Sequence, residues 1–539
     1  MEYKTITEGS TKMCYPADEE SAVFYNPVQV QNRDLSVLMT TLYSERRAIR
    51  MRLKEEKSRM KGVPDRAAKL SELEQTLDPS SVVSELDSKT SGLVILDALA
   101  ASGLRSIRYW KEIPGVKHVT INDLDAAAVE RAHANLRENE LTEVHVTDNT
   151  DRPYGICVNH GDATHEMYLS RRPQQLKPDA VSSKQLTRWD VIDLDPYGSV
   201  APFLDAAIQA VEDGGMLNIT CTDMAALGGS HPETCYGRYA AFPIQRAGYL
   251  QELALRILWY SIATTAAKYG RTVKPILSVG MDFYVRVFGE VYDDKAGVND
   301  LSLKTGHVYQ SKHCPSFKVV PTGQKGGKNG NGYQAGRPPS MCCEETGAPY
   351  KVAGPLWLGP LHDPAVIEEA LKRLESKDTK PSLEWIATKD RLRGLLTTCS
   401  EELNDCPLFY RLPDLCQTLK VSAPSVKVVR AALENAGYRF SGYHKDPQAI
   451  KTDAPNRILW DILRAHYATH KPKKEPAPES AAAKILAKEP SIEVDFTSRG
   501  NQPKKLDVSR FPLNPERNWG PKKAASGIKR KAEEDAQKD

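Results

Sequence analysis

Residues 190 to 199 read Asp-Val-Ile-Asp-Leu-Asp-Pro-Tyr-Gly-Ser, and Asp195, Pro196 and Tyr197 are the candidate catalytic residues. The run Trp189 to Leu194 is apolar and β-branched enough to be a buried strand. Pro196 removes a backbone donor and fixes φ, so the strand stops there. A carboxylate, a backbone carbonyl and an aromatic ring are thereby presented together at a strand's carboxyl end. In an open α/β sheet that edge is where ligands bind. Such a group suits a flat heterocycle carrying an NH₂: two acceptors take its two protons while the ring stacks on its face.

The elements that must position this tip lie upstream. Gly92 to Arg105 reads as a buried strand (Leu93 to Asp97), a small-residue turn and a helix start. Small residues allow close backbone approach, and a helix N-terminus offers free N–H groups. His118 to Asp125 is a second strand ending in acids, and Asp123 falls at the place, roughly 20 residues after the turn, suited to ribose hydroxyls. Asp162, in Gly161-Asp162-Ala163, could accept from an adenine amine. A pyrophosphate loop wants G-x-G-x-x-G, whereas Ala98 to Gly103 holds one glycine. The ligand expected is therefore S-adenosyl-L-methionine, with its adenine, ribose and phosphate-free amino-acid tail.

Further matching segments are Val23 to Gln29, Asn32 to Val37, Asp97 to Arg108, Asn122-Asp123, Asp193 to Ser199, Thr220 to Leu227, Cys235 to Tyr239 and Lys451 to Pro455. With these the chain resembles the eukaryotic, fungal members of the tRNA (guanine-26 N2)-dimethyltransferase family. The resemblance implies an α/β fold: a class I, Rossmann-like S-adenosylmethionine-dependent methyltransferase domain, a smaller C-terminal α+β domain and a disordered tail. It implies methylation of the exocyclic N2 amine of guanine 26, with tRNA as partner. It also implies Arg33, Asp97, Arg105, Asp123, Asp162 and Ala163 as cofactor-binding residues, Arg33 and Arg105 pairing with the cofactor carboxylate. Other readings are an exocyclic-amine methyltransferase acting on another nucleic acid, a glutamine-amide methyltransferase, and a non-catalytic tRNA-binding or folding protein.

At 539 residues the chain has room for two or three domains. The expected division is 1–90, an N-terminal lid and basic helical region; 91–300, the catalytic domain; 301–470, a C-terminal RNA-binding domain; and 471–539, a disordered basic tail. Hydrophobic content of 40% with 27% charged residues reads as globular and soluble, and no stretch approaches the ~18 apolar residues of a membrane span. The start, Met1-Glu2-Tyr3-Lys4, is neither an apolar signal nor an Arg-rich transit peptide. Ten scattered cysteines suit a reducing compartment. No obligate protein partner is evident.

Net charge is only +3; 16 of the 73 basic and 11 of the 70 acidic residues lie beyond residue 470, which leaves the body slightly acidic. RNA affinity must then come from local patches. One candidate carries Arg46, Arg47, Arg50, Arg52, Lys54, Lys57, Arg59 and Lys61 on a helix-like stretch. The alternative is a solvated face with paired charges such as Glu55 with Arg59. Residues 177 to 184 suggest a surface insertion, and Pro275 to Phe288, interrupted by Asp282, suggests a terminal strand.

Ser311-x-x-Cys314 and Cys343-x-x-Thr346 stand where relatives carry two C-x-x-C pairs. Half the thiolates of a tetrahedral zinc site are missing, so no metal is expected, although Cys314, Cys342 and Cys343 with His313 could retain one. Gly323 to Gly332 is expected to be a loop. From Pro381 to Tyr467 amphipathic helices and Gly437 to Gly442 suggest a winged-helix unit gripping RNA through Lys427, Arg430, Arg439 and Lys445. Pro521-Lys522-Lys523 and Lys529-Arg530-Lys531 are spaced like a bipartite nuclear signal, which points to the nucleus, with mitochondrial import also open.

Overall fold

Seven strands build the central sheet: β1 Leu93–Asp97, β2 Val116–Asp123, β3 Gly155–His160, β4 Trp189–Leu194, β5 Val211–Cys221, β6 Arg271–Met281 and β7 Tyr284–Asp293. The structure, a computed structural model, describes residues 3–16, 25–146, 152–171, 188–326, 330, 332–375, 383–498 and 507–515. The strand order is β3-β2-β1-β4-β5-β7-β6. The first five strands run parallel and β7 lies antiparallel between β5 and β6. Every residue of β1 and of β4 is buried, as expected where helices cover both faces of a parallel sheet. The order reverses between β1 and β4, so a crevice opens above their carboxyl ends. In that pairing Asp97 lies beside Asp193.

The expected terminal strand is a hairpin. Asp282, in the left-handed region at φ 36°, turns β6 into β7. Helix Leu250–Ala267 packs on β6, and Trp259 donates to Ser278 Oγ at 2.8 Å. Gly289 on β7 admits this indole: a Cβ there would stand 2.2 Å from the Trp259 ring.

The N-terminal region is more deeply built in than a lid. Helix α1, Val30–Arg59, is buried at almost every position from Asn32 to Glu45. Its arginines mostly serve the catalytic sheet: Arg46 pairs with Glu290 at 2.5 Å, Arg47 with Asp190 at 2.8 Å and Arg50 with Glu290 at 3.3 Å. The reading of this helix as a basic patch therefore gives way to paired charges at Arg46, Arg47 and Arg50. A long mixed-charge sequence hides a buried helix because arginine buries its stem and satisfies its head with acids.

Beyond β7, strands Thr305–Ser311, Phe317–Pro321 and Tyr350–Trp357 form a second sheet. Gly323–Gly326 and Gly332–Ala335 pair as a small hairpin where a loop was expected. Ser311, Cys314, Cys343 and Thr346 do converge: the two thiol sulfurs lie 3.8 Å apart and the two hydroxyls 3.4 Å apart. Helices Leu412–Leu419 and Val426–Asn435 precede the hairpin Phe440–Tyr443 and Asp446–Thr452 in the winged-helix manner. One buried apolar cluster runs from Val94 and Leu217 through Trp259 to Tyr410, Leu433 and Trp460, continuous across residue 300.

Part of the expected tail is folded. Helix Ala481–Leu486 buries Ala482 and Ile485, and Arg464 donates to the Ile485 carbonyl at 2.9 Å. Arg510 pairs with Glu401 at 2.6 Å. The expected insertion at 177 to 184 and the basic clusters at 521 to 531 lie outside the described residues. Among the described residues no helix is long and apolar enough to cross a membrane.

Candidate active site

The tip after β4 is held by the end of β5. Gly198 donates to Thr222 Oγ1 at 2.7 Å, and the Thr222 N–H returns to the Gly198 carbonyl at 3.1 Å. Gly198 takes φ 92°, a conformation that a side chain disfavours. Ser199 and Tyr239 hydroxyls meet at 2.8 Å. The turn throws Tyr197 outward, and its side chain is 83% exposed. A core aromatic would be sealed; this ring is available for stacking.

Asp195 stands at the mouth of a buried charge network. Arg105, on helix α2 (Leu104–Glu112), ion-pairs with Asp195 and also donates to Asp193 at 2.6 Å. Arg286 on β7 reaches Asp193 at 2.6 and 3.0 Å, and Tyr109 donates to it at 2.6 Å. Asp97 accepts from Ser106 at 2.7 Å. Three carboxyl groups thus face two guanidiniums. Burial, with Asp193 close by, pushes the Asp97 carboxyl up to about 7. For Asp193 burial works against the charge, but Arg105 and Arg286 outweigh it and hold the carboxyl below its ordinary range. Among the described residues no donor reaches Asp195 Oδ1 or the Pro196 carbonyl oxygen.

Arg33 and Arg105, expected to meet a cofactor carboxylate, are engaged by carboxylates of the chain itself. Arg33 is bidentate to Glu8 at 2.5 and 2.6 Å, and Arg108 joins Glu8, Asp34 and Glu112 in the same buried cluster. That cluster locks the N-terminal hairpin Tyr3–Glu8 and Thr11–Pro16 onto α1 and α2. A guanidinium finds a buried acid wherever the fold offers one, because leaving either alone is costly.

Asp123 does lie at the end of β2, beside the small-residue turn. It accepts from the Ala101 N–H at 2.8 Å and the Asp125 N–H at 2.9 Å. Asn122 ties the same turn to the end of β3, donating to the carbonyls of Ala98 at 2.9 Å and Gly161 at 3.1 Å. Asp162 caps helix Ala163–Leu169 through its Oδ1, at 2.8 Å from the His165 N–H. Ala163 heads that helix with its side chain buried. Leu124, 66% exposed, adds an apolar face next to Asp123.

Asp193, Tyr109 and Arg286 were not singled out in the sequence. One signal was present: Asp193 and Asp195 sit two apart on a strand, so both project to one face and need cations there.

One other group among the described residues brings metal-type side chains together: His362, Cys399, Glu402 and His444, with ligand atoms within 4.8 Å of one another. Gly280 N–H donates to His444 Nε2 at 2.9 Å, so the proton sits on Nδ1, which donates to Glu402 at 2.7 Å. Lys451 stands 3.6 Å from the same carboxylate and 3.0 Å from Glu252, which also pairs with Arg256. With two acids facing two cations, this group is a hydrogen-bonded clamp rather than a cation site.

Comparison with known proteins agrees with this architecture. The family model described as N2,N2-dimethylguanosine tRNA methyltransferase matches residues 2–464. The tRNA (guanine(26)-N(2))-dimethyltransferase of Schizosaccharomyces pombe is 38% identical over 96% of this chain and 92% of its own length. The Homo sapiens protein of the same name is 35% identical over 97% of this chain and 77% of its own. The structure of Trm1 from Pyrococcus horikoshii with S-adenosyl-L-methionine aligns with a TM-score of 0.63 at 27% identity, covering 85% of this chain and 99% of that one. The chain belongs to the N2,N2-dimethylguanosine tRNA methyltransferase family.

Proposed function

We propose that Asp195, Pro196 and Tyr197 form the receptor for guanine 26 of tRNA, at which this enzyme methylates the N2 amine from S-adenosyl-L-methionine. The observation that carries this reading is the divided Asp195 carboxylate, one oxygen fixed by Arg105 and the other, among the described residues, without a donor, beside an exposed tyrosine ring. The guanine amine is a poor nucleophile because its lone pair is delocalised into the ring. Asp195 Oδ1 and the Pro196 carbonyl accept its two N–H bonds, turn the lone pair outward and stabilise the positive charge that develops on nitrogen. Tyr197 stacks on the base, which must leave the tRNA helix to arrive there. Arg105 acts as a positioning residue.

The residues at the neighbouring strand ends fit the donor. Asp123, tied to the Ala101 turn, is placed for ribose hydroxyls; Leu124 offers an apolar face for adenine, and the second oxygen of Asp162 an acceptor for its amine. The amino-acid carboxylate is placed to meet Arg33 and Arg105, with the free N–H groups at the start of α2 as further donors. When bound, S-adenosyl-L-methionine supplies a methyl already activated on sulfur, so alignment supplies much of the remaining rate.

The test is tritium transfer from labelled S-adenosyl-L-methionine to an unmodified tRNA transcript, followed by nucleoside analysis. Label in N2-methyl- and N2,N2-dimethylguanosine, lost when guanine 26 is replaced, is the expected result. Label in methyladenosine or methylcytidine overturns the assignment. For location, the two basic clusters at 521 to 531 support nuclear import, while a relative at 33% identity in Saccharomyces cerevisiae bears "mitochondrial" in its name. A fluorescent fusion is expected in the nucleus, and to leave it when Lys529, Arg530 and Lys531 become alanine; a wild-type fusion absent from the nucleus refutes the nuclear reading.

A further inference from the structure

A second surface in this molecule carries unbalanced charge. Between the segment 244–249, one end of the second sheet and the segment 409–414 lies a cavity of about 220 Å³. Arg246, Lys312, Lys351 and Arg411 line it, against the single carboxylate of Asp414. Arg411 is already taken up by Asp446 at 2.6 Å and by Asp414 at 3.6 Å. Among the described residues no carboxylate pairs with Arg246, Lys312 or Lys351. This contrasts with the RNA contacts expected further along the chain, where Arg430 pairs with Glu434 and Arg439 with Asp405 and Asp453.

The three unpaired side chains are exposed and gathered at one place. Lys351 sits opposite Gln310 in the antiparallel ladder, and Lys312, just past the end of strand Thr305–Ser311, bonds through its N–H to the Pro349 carbonyl, so the two lysines lie close together at one end of this sheet. Arg246 is held at φ 55°, a left-handed conformation unfavourable for a residue with a Cβ. The body of the chain is slightly acidic, so three unpaired cations at one cavity are a local exception to the molecule's field.

The cavity is also joined to the catalytic turn. Ser199 meets Tyr239, the last residue of helix Pro232–Tyr239. On that helix Tyr236 is 60% exposed, and it forms a tilted ring pair with the exposed Phe242 at 6.3 Å. Phe242 exchanges two backbone bonds, 2.9 and 2.8 Å, with Gly354 on the strand that carries Lys351. Exposed aromatics interleaved with cations are the makings of a track for unpaired nucleotides and their phosphates.

We propose that Arg246, Lys312 and Lys351 form a phosphate subsite for the tRNA backbone, which holds the substrate in register while its guanine occupies the Asp195 turn. The inference rests on the tRNA reading above. Phosphate contacts position without reading sequence, so the subsite governs affinity and register rather than chemistry.

The test uses the full chain with Arg246→Gln, Lys312→Gln and Lys351→Gln combined. Dissociation constants for an unmodified tRNA transcript are measured from 50 to 200 mM salt, alongside steady-state methylation. Loss of three phosphate contacts lowers the slope of log Kd against log salt by about 2 to 3. The triple variant should show KM for tRNA raised more than tenfold, kcat within twofold, and unchanged affinity for S-adenosyl-L-methionine. Lys351→Arg, which keeps the charge, should retain the wild-type slope. A triple variant with wild-type slope and KM overturns the subsite while leaving the enzyme assignment standing. A wild-type chain that binds no tRNA overturns both.

Discussion

Two buried charge networks hold this molecule, one beneath the catalytic turn and one beneath the C-terminal hairpin. Their contents are similar. The first sets Asp97, Asp193 and Asp195 against Arg105 and Arg286; the second sets Glu252 and Glu402 against Arg256 and Lys451, with two histidines between. They differ in where they end. The C-terminal network is sealed, with the Glu402 side chain 2% exposed and both inward-facing imidazoles spent on it. The network beneath the Asp195 turn leads outward, because Asp195 is 25% exposed and, among the described residues, keeps one oxygen free of donors. Similar sets of charges are thus sealed in one place and reach the surface in the other.

The comparison breaks most visibly at Glu402. Glu402→Ala leaves the His444 Nδ1–H buried without its acceptor and removes one of the two acids around Lys451, and should cost roughly 3–5 kcal/mol of stability in denaturant unfolding. Methyl transfer per folded molecule should stay near wild type at low temperature; loss of transfer from a folded variant would show that the clamp shapes the active site. Asp195→Asn is the converse case. It should lower kcat by about 10²–10³, on the scale of removing one preorganised electrostatic group, with tRNA affinity within about threefold. Tyr197→Ala probes the exposed ring. Loss of a stacking platform is worth about 1–3 kcal/mol per base, so kcat/KM should fall roughly tenfold or more while the melting temperature holds.

The gentlest test follows from Asp97. Its folded-state pKa of about 7 lies above the unfolded value near 4, so the folded protein retains a proton that the unfolded chain releases. This group's contribution is fully favourable below about pH 4 and is lost as pH rises to about 7. Asp97→Asn removes that loss. The stability of the variant relative to wild type should therefore climb between pH 4 and 7 and level off above; a flat difference would mean that Asp97 titrates normally.

Much of the catalytic half was legible in the chain. Parallel strands buried on both faces leave unbroken apolar runs such as Leu93 to Leu96 and Trp189 to Leu194, and the residues that end them mark the crevice. What composition concealed was pairing at long range. Arg286 meets Asp193 across 93 positions and Arg373 meets Glu45 across 328, so nothing local distinguishes these arginines from solvated ones. The same blindness made α1 look like an RNA-binding face. Residues 481 to 498 looked unfoldable because their few apolar side chains are buried against a helix that precedes them, not among themselves.

The bridge from Arg105 to Asp195 has one more consequence. Dimethylation of a single nitrogen requires the spent donor to depart and a fresh one to enter between two chemical events. Were the acid propped up by its small-molecule neighbour, each exchange would let the grip on the nucleobase slacken. On the role proposed for Asp195, the brace is an arginine of the scaffold, so the receiving half of the machine keeps its shape through the pause, ready for a second pass.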